Sequence, residues 1–285
     1  ISQLGDSTLT NRSSPVQIGL TYTPTFTSLK TGDLYSVGLD STGKIWTWGY
    51  GTYGLNNEST NSKYGPRMIH KFSEFGTPMT SWSQIDVGWG QAIARRSDGT
   101  VWGWGRNDSY QLGINNTTST SSPVAVQMSP LTVSQANTDN ISVVDLSITV
   151  SSYASHAIAL TSQGAALAWG LGTTGQLGSL DASTRSSPVF VATDMNWNSV
   201  IAGNQHTLGI KSDYSLWGWG SGLTYGLNGD GTLVDRSSPV QAVTTLRAAT
   251  PVSRALGGQV GFIDEFNQVW LWGDNNYKVV VGTPV

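Results

Sequence analysis

Three histidines, His70, His156 and His206, and carboxylates such as Asp40, Asp98, Asp213 and Glu265 are the residues with acid–base capacity in this 285-residue chain. General acid–base or glycosidic chemistry needs two such groups converging on one bond. Here the carboxylates are scattered through turn-like segments, and no Ser-His-Asp arrangement is visible. Gly49-Tyr50-Gly51-Thr52-Tyr53-Gly54 and Gly170-Leu171-Gly172-Thr173-Thr174-Gly175 both satisfy GxGxxG after a strand-like run. A dinucleotide-binding loop of that pattern opens a helix, and neither segment does, so tight turning explains the glycines and no cofactor is implied. Asn228-Gly229-Asp230-Gly231-Thr232 resembles a calcium loop but lacks the distal bidentate Glu, so it reads as a turn and no metal is expected. The absence of cysteine excludes thiol chemistry and disulfides. The chain therefore reads as a non-enzyme, with polysaccharide hydrolysis as the remaining catalytic alternative.

The elements that must position these residues are repeated. A short strand ending in Trp-Gly recurs as Ile45-Trp46-Thr47-Trp48-Gly49, Val101-Trp102-Gly103-Trp104-Gly105, Ala166-Leu167-Ala168-Trp169-Gly170, Leu216-Trp217-Gly218-Trp219-Gly220 and Val269-Trp270-Leu271-Trp272-Gly273. The final tryptophans are about 50 to 65 residues apart, which suits one four-stranded propeller blade per repeat. In one repeat, Ser199–Gly203, Thr207–Ile210, Leu216–Trp219 and Pro239–Val243 read as the four strands. Ser41-Thr42-Gly43-Lys44, Ser97-Asp98-Gly99-Thr100 and Ser162-Gln163-Gly164-Ala165 are hairpin turns in which Gly supplies a positive φ. Asp213-Tyr214 and Phe266-Asn267 replace that Gly and predict a different turn type. Tryptophans two apart share a sheet face, so the pairs are read as inter-blade packing rather than a stacking platform. His156 and His206 fall at equivalent second-strand positions and are read as buried and structural. Each fourth strand carries Pro-Val, as in Arg12-Ser13-Ser14-Pro15-Val16 and Arg236-Ser237-Ser238-Pro239-Val240, with proline expected at the start of an edge strand.

Composition sets the surroundings of this fold. Charged residues are only 12% of the chain, the net charge is −3, and there are 34 glycines. A polar but weakly charged surface of this kind argues against nucleic acid and anionic membrane as partners. No apolar run reaches the roughly 18 residues of a membrane helix. Residues 1–285 are expected to form one all-β domain. Ile1 opens in mid-repeat, which points to removal of a leader or to a longer polypeptide.

Gly203-Asn204-Gln205-His206-Thr207, the Trp-Gly motifs and the Gln-Leu-Gly triplets at Gln111-Leu112-Gly113 and Gln176-Leu177-Gly178 resemble the regulator of chromosome condensation repeat family across essentially the whole chain. The resemblance implies a β-propeller, commonly of seven blades, in a family that includes nucleotide exchange factors, an enzyme inhibitor, a plant photoreceptor and phage or bacterial surface proteins. The degenerate Ser/Thr-rich repeats look most like that last group. The resemblance therefore implies a structural or adhesive component of a phage particle or bacterial surface, extracellular or virion-associated, part of a larger assembly, binding a protein or surface glycan. The alternative is a regulatory exchange-factor-like or inhibitor-like module. Gly88-Trp89-Gly90-Gln91 lacks the Arg-His pair of the photoreceptor branch, so light sensing is not expected.

Only five Trp-Gly motifs are present, while Gln3-Leu4-Gly5 and Pro15-Val16 stand without one. The N-terminal strand is expected to close the last blade of a five-bladed ring; the alternative is part of a six- or seven-bladed ring, with Val279–Val285 as the last outer strand. The longest connections run from His70 to Trp82 and from Met128 to Ile141, and recognition concentrates on long loops of a rigid scaffold. The candidate contact residues are Phe72, Phe75, Met79 and Trp82 in the first, Gln135 and Asn137 in the second, and Trp89 nearby.

Overall fold

Alternating apolar residues and glycine-bearing turns repeat one hairpin unit along the chain. The computed structural model describes residues 3–18, 24–51, 63–69, 81–126, 128, 142–149, 155–193, 196–242, 247–253 and 258–274. Among them every regular element is a β-strand, in five sheets. Sheet one holds β1 (Phe26–Thr31), β2 (Tyr35–Asp40), β3 (Ile45–Gly49) and β4 (Lys63–Met68). Sheet two holds β5 (Trp82–Val87), β6 (Gln91–Arg96), β7 (Val101–Gly105) and β8 (Thr120–Ala125). Sheet three holds β9 (Val143–Ile148), β10 (His156–Thr161), β11 (Ala166–Gly170) and β12 (Arg185–Phe190). Sheet four holds β13 (Trp197–Ala202), β14 (His206–Lys211), β15 (Leu216–Gly220) and β16 (Arg236–Gln241). Sheet five holds β17 (Ala248–Ser253), β18 (Gln259–Asp264) and β19 (Val269–Gly273).

Every sheet is an antiparallel meander in chain order. Consecutive sheets meet through their first and second strands, and all five first strands line one axial cavity. That is the blade arrangement of a propeller. The joints carry the core: Trp104 packs with Val37, Leu39 and Ile45 across the first, and Trp219 with Ile158, Leu160 and Val191 across the third.

One size rule governs the inside of each sheet. The first-strand openers Phe26, Trp82, Val143 and Trp197 pair with Asp40, Arg96, Thr161 and Lys211, and the second-strand residue two positions before each partner, diagonal to the opener, is small: Gly38, Ala94, Ala159 and Gly209. A Cβ at Gly38 would stand 2.5 Å from Phe26, and one at Gly209 would stand 2.6 Å from Trp197. Sheet five inverts the pair, with Ala248 on the first strand and Phe262 on the second at the same register. The total volume is kept and its owner exchanged, which close packing tolerates far better than a one-sided change.

Several expectations are corrected at this level. Proline does not open the fourth strand; in β8, β12 and β16 it is the fourth residue, where the ladder to the third strand shifts register and needs no N–H from it. Tyr214 and Asn267 do not make a different turn, since their φ of 69° and 61° matches the 73° to 82° of Gly43, Gly99 and Gly164. The hairpin bond explains this: Gly43 O, Gly99 O, Gly164 O and Tyr214 O each accept the first-strand N–H of the next sheet, from Trp82, Val143, Trp197 and Ala248. The two tryptophans of a motif are also not equivalent. Trp48, Trp104, Trp169 and Trp219 are at most 2% exposed, whereas Trp46, Trp102 and Trp217 are half-buried at the rim. Their indole N–H groups are held by the local hairpin, at Asp40, Thr100 and Ser215.

Among the described residues, 3–18 form no strand of sheet five, against the expected closure. Gln3 O accepts the Trp48 indole N–H at 3.0 Å, just as Gln111 O accepts that of Trp169 at 3.0 Å. Gly5, with φ of 72°, lies against the Trp48 ring as Gly113 lies against Trp169 and Gly178 against Trp219. Residues 3–6 therefore hold the place of a preceding repeat's Gln-Leu-Gly loop beside sheet one. Residues 9–17 pair with no strand among the described residues. Val279–Val285 lie outside the described residues.

Candidate functional site

Each second strand begins with a buried polar side chain: Tyr35, Gln91, His156, His206 and, half-buried, Gln259. Three residues before Tyr35, Gln91 and His206 stand Gly32, Gly88 and Gly203, whose N–H groups bond back to the carbonyls of those residues. Gly32 and Gly88 leave no room for a side chain where blades approach, since a Cβ on Gly32 would fall 2.8 Å from Gly88 O and one on Gly88 2.1 Å from Gln91 Nε2 and 2.6 Å from Thr149 O. From this turn Tyr35, Gln91 and His156 reach the next sheet, whereas Gln259 Nε2 donates to Asp274 O at the end of its own sheet. Tyr35 Oη lies 2.9 Å from Gly88 O and 2.6 Å from Gln91 O, donating toward both. Gln91 Nε2 is 3.4 Å from both Thr149 O and Ser155 Oγ. His156 places Nδ1 3.0 Å from Thr149 Oγ1 and Nε2 2.9 Å from Thr207 Oγ1. Thr149 Oγ1 lies 2.8 Å from Gly203 O, and Thr207 Oγ1 lies 2.8 Å from Gln176 O.

This belt of polar groups explains the Gly-x-x-His-Thr motif as a joint rather than a reactive centre. Both rings are fully buried. Burial, reinforced by His206, pushes the His156 pKa down to about 3, and burial alone pushes that of His206 down to about 4. Neutral imidazoles sealed from solvent can relay hydrogen bonds between sheets but cannot meet a substrate. Burial, then Asp86, likewise holds the Tyr35 phenol well above its ordinary value.

At the axis, the first strands enclose a polar cavity of about 350 Å3. Lys30 Nζ lies 3.4 Å from Asp86 Oδ1, and Asp86 Oδ2 accepts Ile148 N–H at 2.9 Å. Burial raises the Asp86 pKa against the opposing pull of Lys30. Asp145 Oδ1 accepts Gln84 Nε2 at 2.6 Å and its neighbour Leu146 N–H at 2.9 Å. These carboxylates are engaged in holding strands, so the cavity offers hydrogen bonds and a cation more than a free acid–base pair. In the suspected calcium loop, Asp230 spends Oδ1 on Thr232 and Oδ2 on Arg236, which leaves an ion-paired turn. Among the described residues no three His, Cys, Asp or Glu side chains are grouped as metal ligands.

The sequence-selected contact residues are dispersed. Phe72, Phe75, Met79, Gln135 and Asn137 lie outside the described residues. Trp82 is not a loop residue: it opens β5, is 5% exposed, and meets Trp102 edge-on at 6.3 Å, which makes it core. Trp89 sits half-buried at the other end of β5 with the Arg106 guanidinium 4.9 Å from its ring centre. Seven residues of extended chain separate the two by about 20 Å, so they do not form one surface. The hairpin end carries residues that spacing did not single out. Tyr214 and Phe266 are exposed there, and Arg247 lies 4.1 Å over the Tyr214 ring. Tyr214 replaces the hairpin glycine and Phe266 precedes Asn267, which does the same, and that departure was their visible signal. Between sheets four and five an apolar groove of about 480 Å3 opens, lined by Leu216, Leu233, Phe262, Trp270, Leu271 and Trp272.

Comparison with known proteins accounts for this geometry. Residues 98–138 and 163–210 match the Regulator of chromosome condensation (RCC1) repeat, and a second profile of the same description matches residues 82–111 and 148–176. The ultraviolet-B receptor UVR8 of Arabidopsis thaliana is 29% identical over 189 residues, covering 66% of this chain and 38% of the receptor. Protein pim1 of Schizosaccharomyces pombe is 29% identical over 230 residues, covering 74% of this chain and 39% of that protein. The chain thus spans about two-fifths of the length of these relatives. Among solved structures, human WBSCR16 superposes with a TM-score of 0.70 at 16% identity, covering 89% of this chain and 63% of that one. Yeast RCC1 (Prp20), solved bound to Kap60, gives 0.66 at 18% identity, covering 87% and 56%. The turn glycines, the indole-to-loop locks and these matches lead to one assignment: this chain is a β-propeller in which residues 82–138 and 148–210 match regulator of chromosome condensation repeats.

Proposed function

We propose that the chain is a non-catalytic, protein-binding propeller that presents its hairpin face and the two long connections, 70–80 and 129–141, to a macromolecular partner. The observation that carries this reading is where the motif residues are spent. Histidines, second tryptophans and Gln-Leu-Gly loops are consumed in joints between sheets, which leaves recognition to residues that differ from repeat to repeat. The Kap60 complex of the yeast protein supports a protein partner. Phe72, Phe75, Met79, Gln135 and Asn137 are the proposed contacts from the two connections, and Tyr214, Arg247 and Phe266 those from the hairpin face; Tyr and Arg are frequent anchors of protein interfaces. The finer proposal is a structural or adhesive role on a phage particle or bacterial surface, supported by the weakly charged, Ser/Thr-rich repeats.

The test replaces each long connection by one the length of the 242–247 link between sheets four and five. The expected result is an unchanged thermal midpoint with loss of binding to purified particles or cell envelopes. Undiminished binding by the doubly shortened protein refutes the assignment of the face. Stoichiometric capture of one soluble cytosolic protein instead refutes the surface role and establishes the regulatory alternative.

A further inference from the structure

The five belt positions are structurally equivalent but chemically different. Tyr35 spans the joint between sheets one and two, and Gln91 that between two and three. His156 spans three to four, and His206 holds the equivalent position at the start of β14, the strand that packs on β17 of sheet five. A phenol and an amide carry no charge change between neutrality and mild acid, whereas an imidazole does. We propose that the two joints flanking sheet four are acid-labile hinges, which part when His156 and His206 take up protons while the joints made by Tyr35 and Gln91 stay closed. This inference is independent of the partner reading above.

Hydrogen-bond counting at His156 shows why the closed joint resists a proton. With both hydroxyls donating to carbonyls, Thr149 to Gly203 and Thr207 to Gln176, each ring nitrogen faces a hydroxyl lone pair, an arrangement that only the doubly protonated ring satisfies in full. The neutral ring gives up part of one bond. The cation gains that bond but loses its hydration in a site with no carboxylate, and the second loss is much the larger. Thr149 after β9, Gly203 after β13 and Gln176 supply a hydroxyl and carbonyls around the ring; β14 supplies the Thr207 hydroxyl and His206, the titratable group that bears on it. His206 is governed by burial alone. Proton uptake therefore requires water, and water requires the sheets to part. Below the ordinary histidine value each pH unit favours the open joint about tenfold per histidine.

The neighbouring joints respond differently. Asp86, which accepts Ile148 N–H between sheets two and three, is pushed by burial toward its neutral form, so acid removes charge there.

Amide hydrogen exchange, corrected for intrinsic rates, reads the joints separately through the turn amides Gly32 and Gly88 against Thr149 and Gly203, which all bond to second-strand carbonyls. Between pH 6.5 and 4.5 the protection of Thr149 and Gly203 is expected to fall about 100-fold for one histidine titrating, with Gly32 and Gly88 unchanged. The H156Q/H206Q variant installs the residue that β6 and β18 already use and is expected to abolish the response. Equal loss at all four amides, or an unchanged response in the variant, overturns the proposal. If the variant does not fold, proton titration of the wild-type imidazoles decides: ordinary midpoints with Thr149 and Gly203 still protected at pH 4.5 overturn it, and midpoints that track the loss of protection support it.

Discussion

Exchanging Trp197 and Gly209 for Ala and Phe should be nearly tolerated as a pair although each change alone is not. Gly209 lies diagonally across from Trp197, and a Cβ built there would stand 2.6 Å from Cζ3 and 2.8 Å from Cε3 of Trp197, and 3.2 Å from Trp219, all inside ordinary contact. Trp197 is 3% exposed and Trp219 is fully buried, so neither ring can retreat into solvent. Gly209→Phe alone then overpacks the third joint at a cost of about 3 kcal/mol or more. Trp197→Ala alone empties an indole-sized volume next to Trp217 and Trp219 and costs about 3–5 kcal/mol. Together they reproduce the Ala248 and Phe262 arrangement of sheet five, where the same register already holds the exchanged pair. The coupling energy is expected near the upper end of the usual range, about 2–3 kcal/mol in favour of the double variant. Urea unfolding of the four proteins of the cycle measures it, with the slope checked for constancy. A double variant whose loss equals the sum of the single losses would show that the size rule is coincidence rather than packing.

Three further outcomes follow from single contacts. Asp40→Ala removes the acceptor of Thr42 N–H, Lys44 N–H and the Trp46 indole, and should cost about 2–3 kcal/mol in chemical unfolding. Those hydrogen bonds outweigh burial and hold the Asp40 pKa below its ordinary value. Its contribution is therefore full above the unfolded-state value near 3.8 and is lost as pH falls through the lower folded value, so the wild-type advantage over D40A should vanish in strong acid and not near neutrality. Gly113→Ala forces φ of 65° on alanine with its Cβ 2.9 Å from Trp169 Nε1 and should lower stability by about 2–4 kcal/mol, whereas an equal or higher melting point would contradict the lock between loop and indole. Tyr35→Phe leaves Gly88 O and Gln91 O without their shared donor and should cost about 1–2 kcal/mol in the same assay.

Much of the architecture was legible in the repeat itself. The first three strands of sheet four lie within a few residues of those expected from alternation and glycine turns, because both are local properties of the backbone. The fourth strands were misplaced at their start because proline was treated as a strand opener, while the bulge that accommodates it depends on the partner strand. The role of Trp82 was misread for a similar reason: an aromatic next to a long connection looks like a loop anchor until the strand it opens is paired. Tyr214 and Asn267 adopt glycine's conformation because the carbonyl at the first must meet the next sheet, a demand that arises outside their own hairpin.

By itself the sequence determined an all-β chain of repeated antiparallel units with Trp-Gly strands and Gly-rich turns, since periodicity and positive-φ requirements act over a few residues. Only the tertiary structure decided what those residues touch. His156 became a sealed bridge, Gln3 the acceptor for an indole 45 residues away, and Ala248 with Phe262 an inverted copy of Trp197 with Gly209. The physical reason is that burial, hydrogen-bond pairing and shared volume belong to pairs of sheets, and a pair of sheets has no counterpart in the order of residues along one strand.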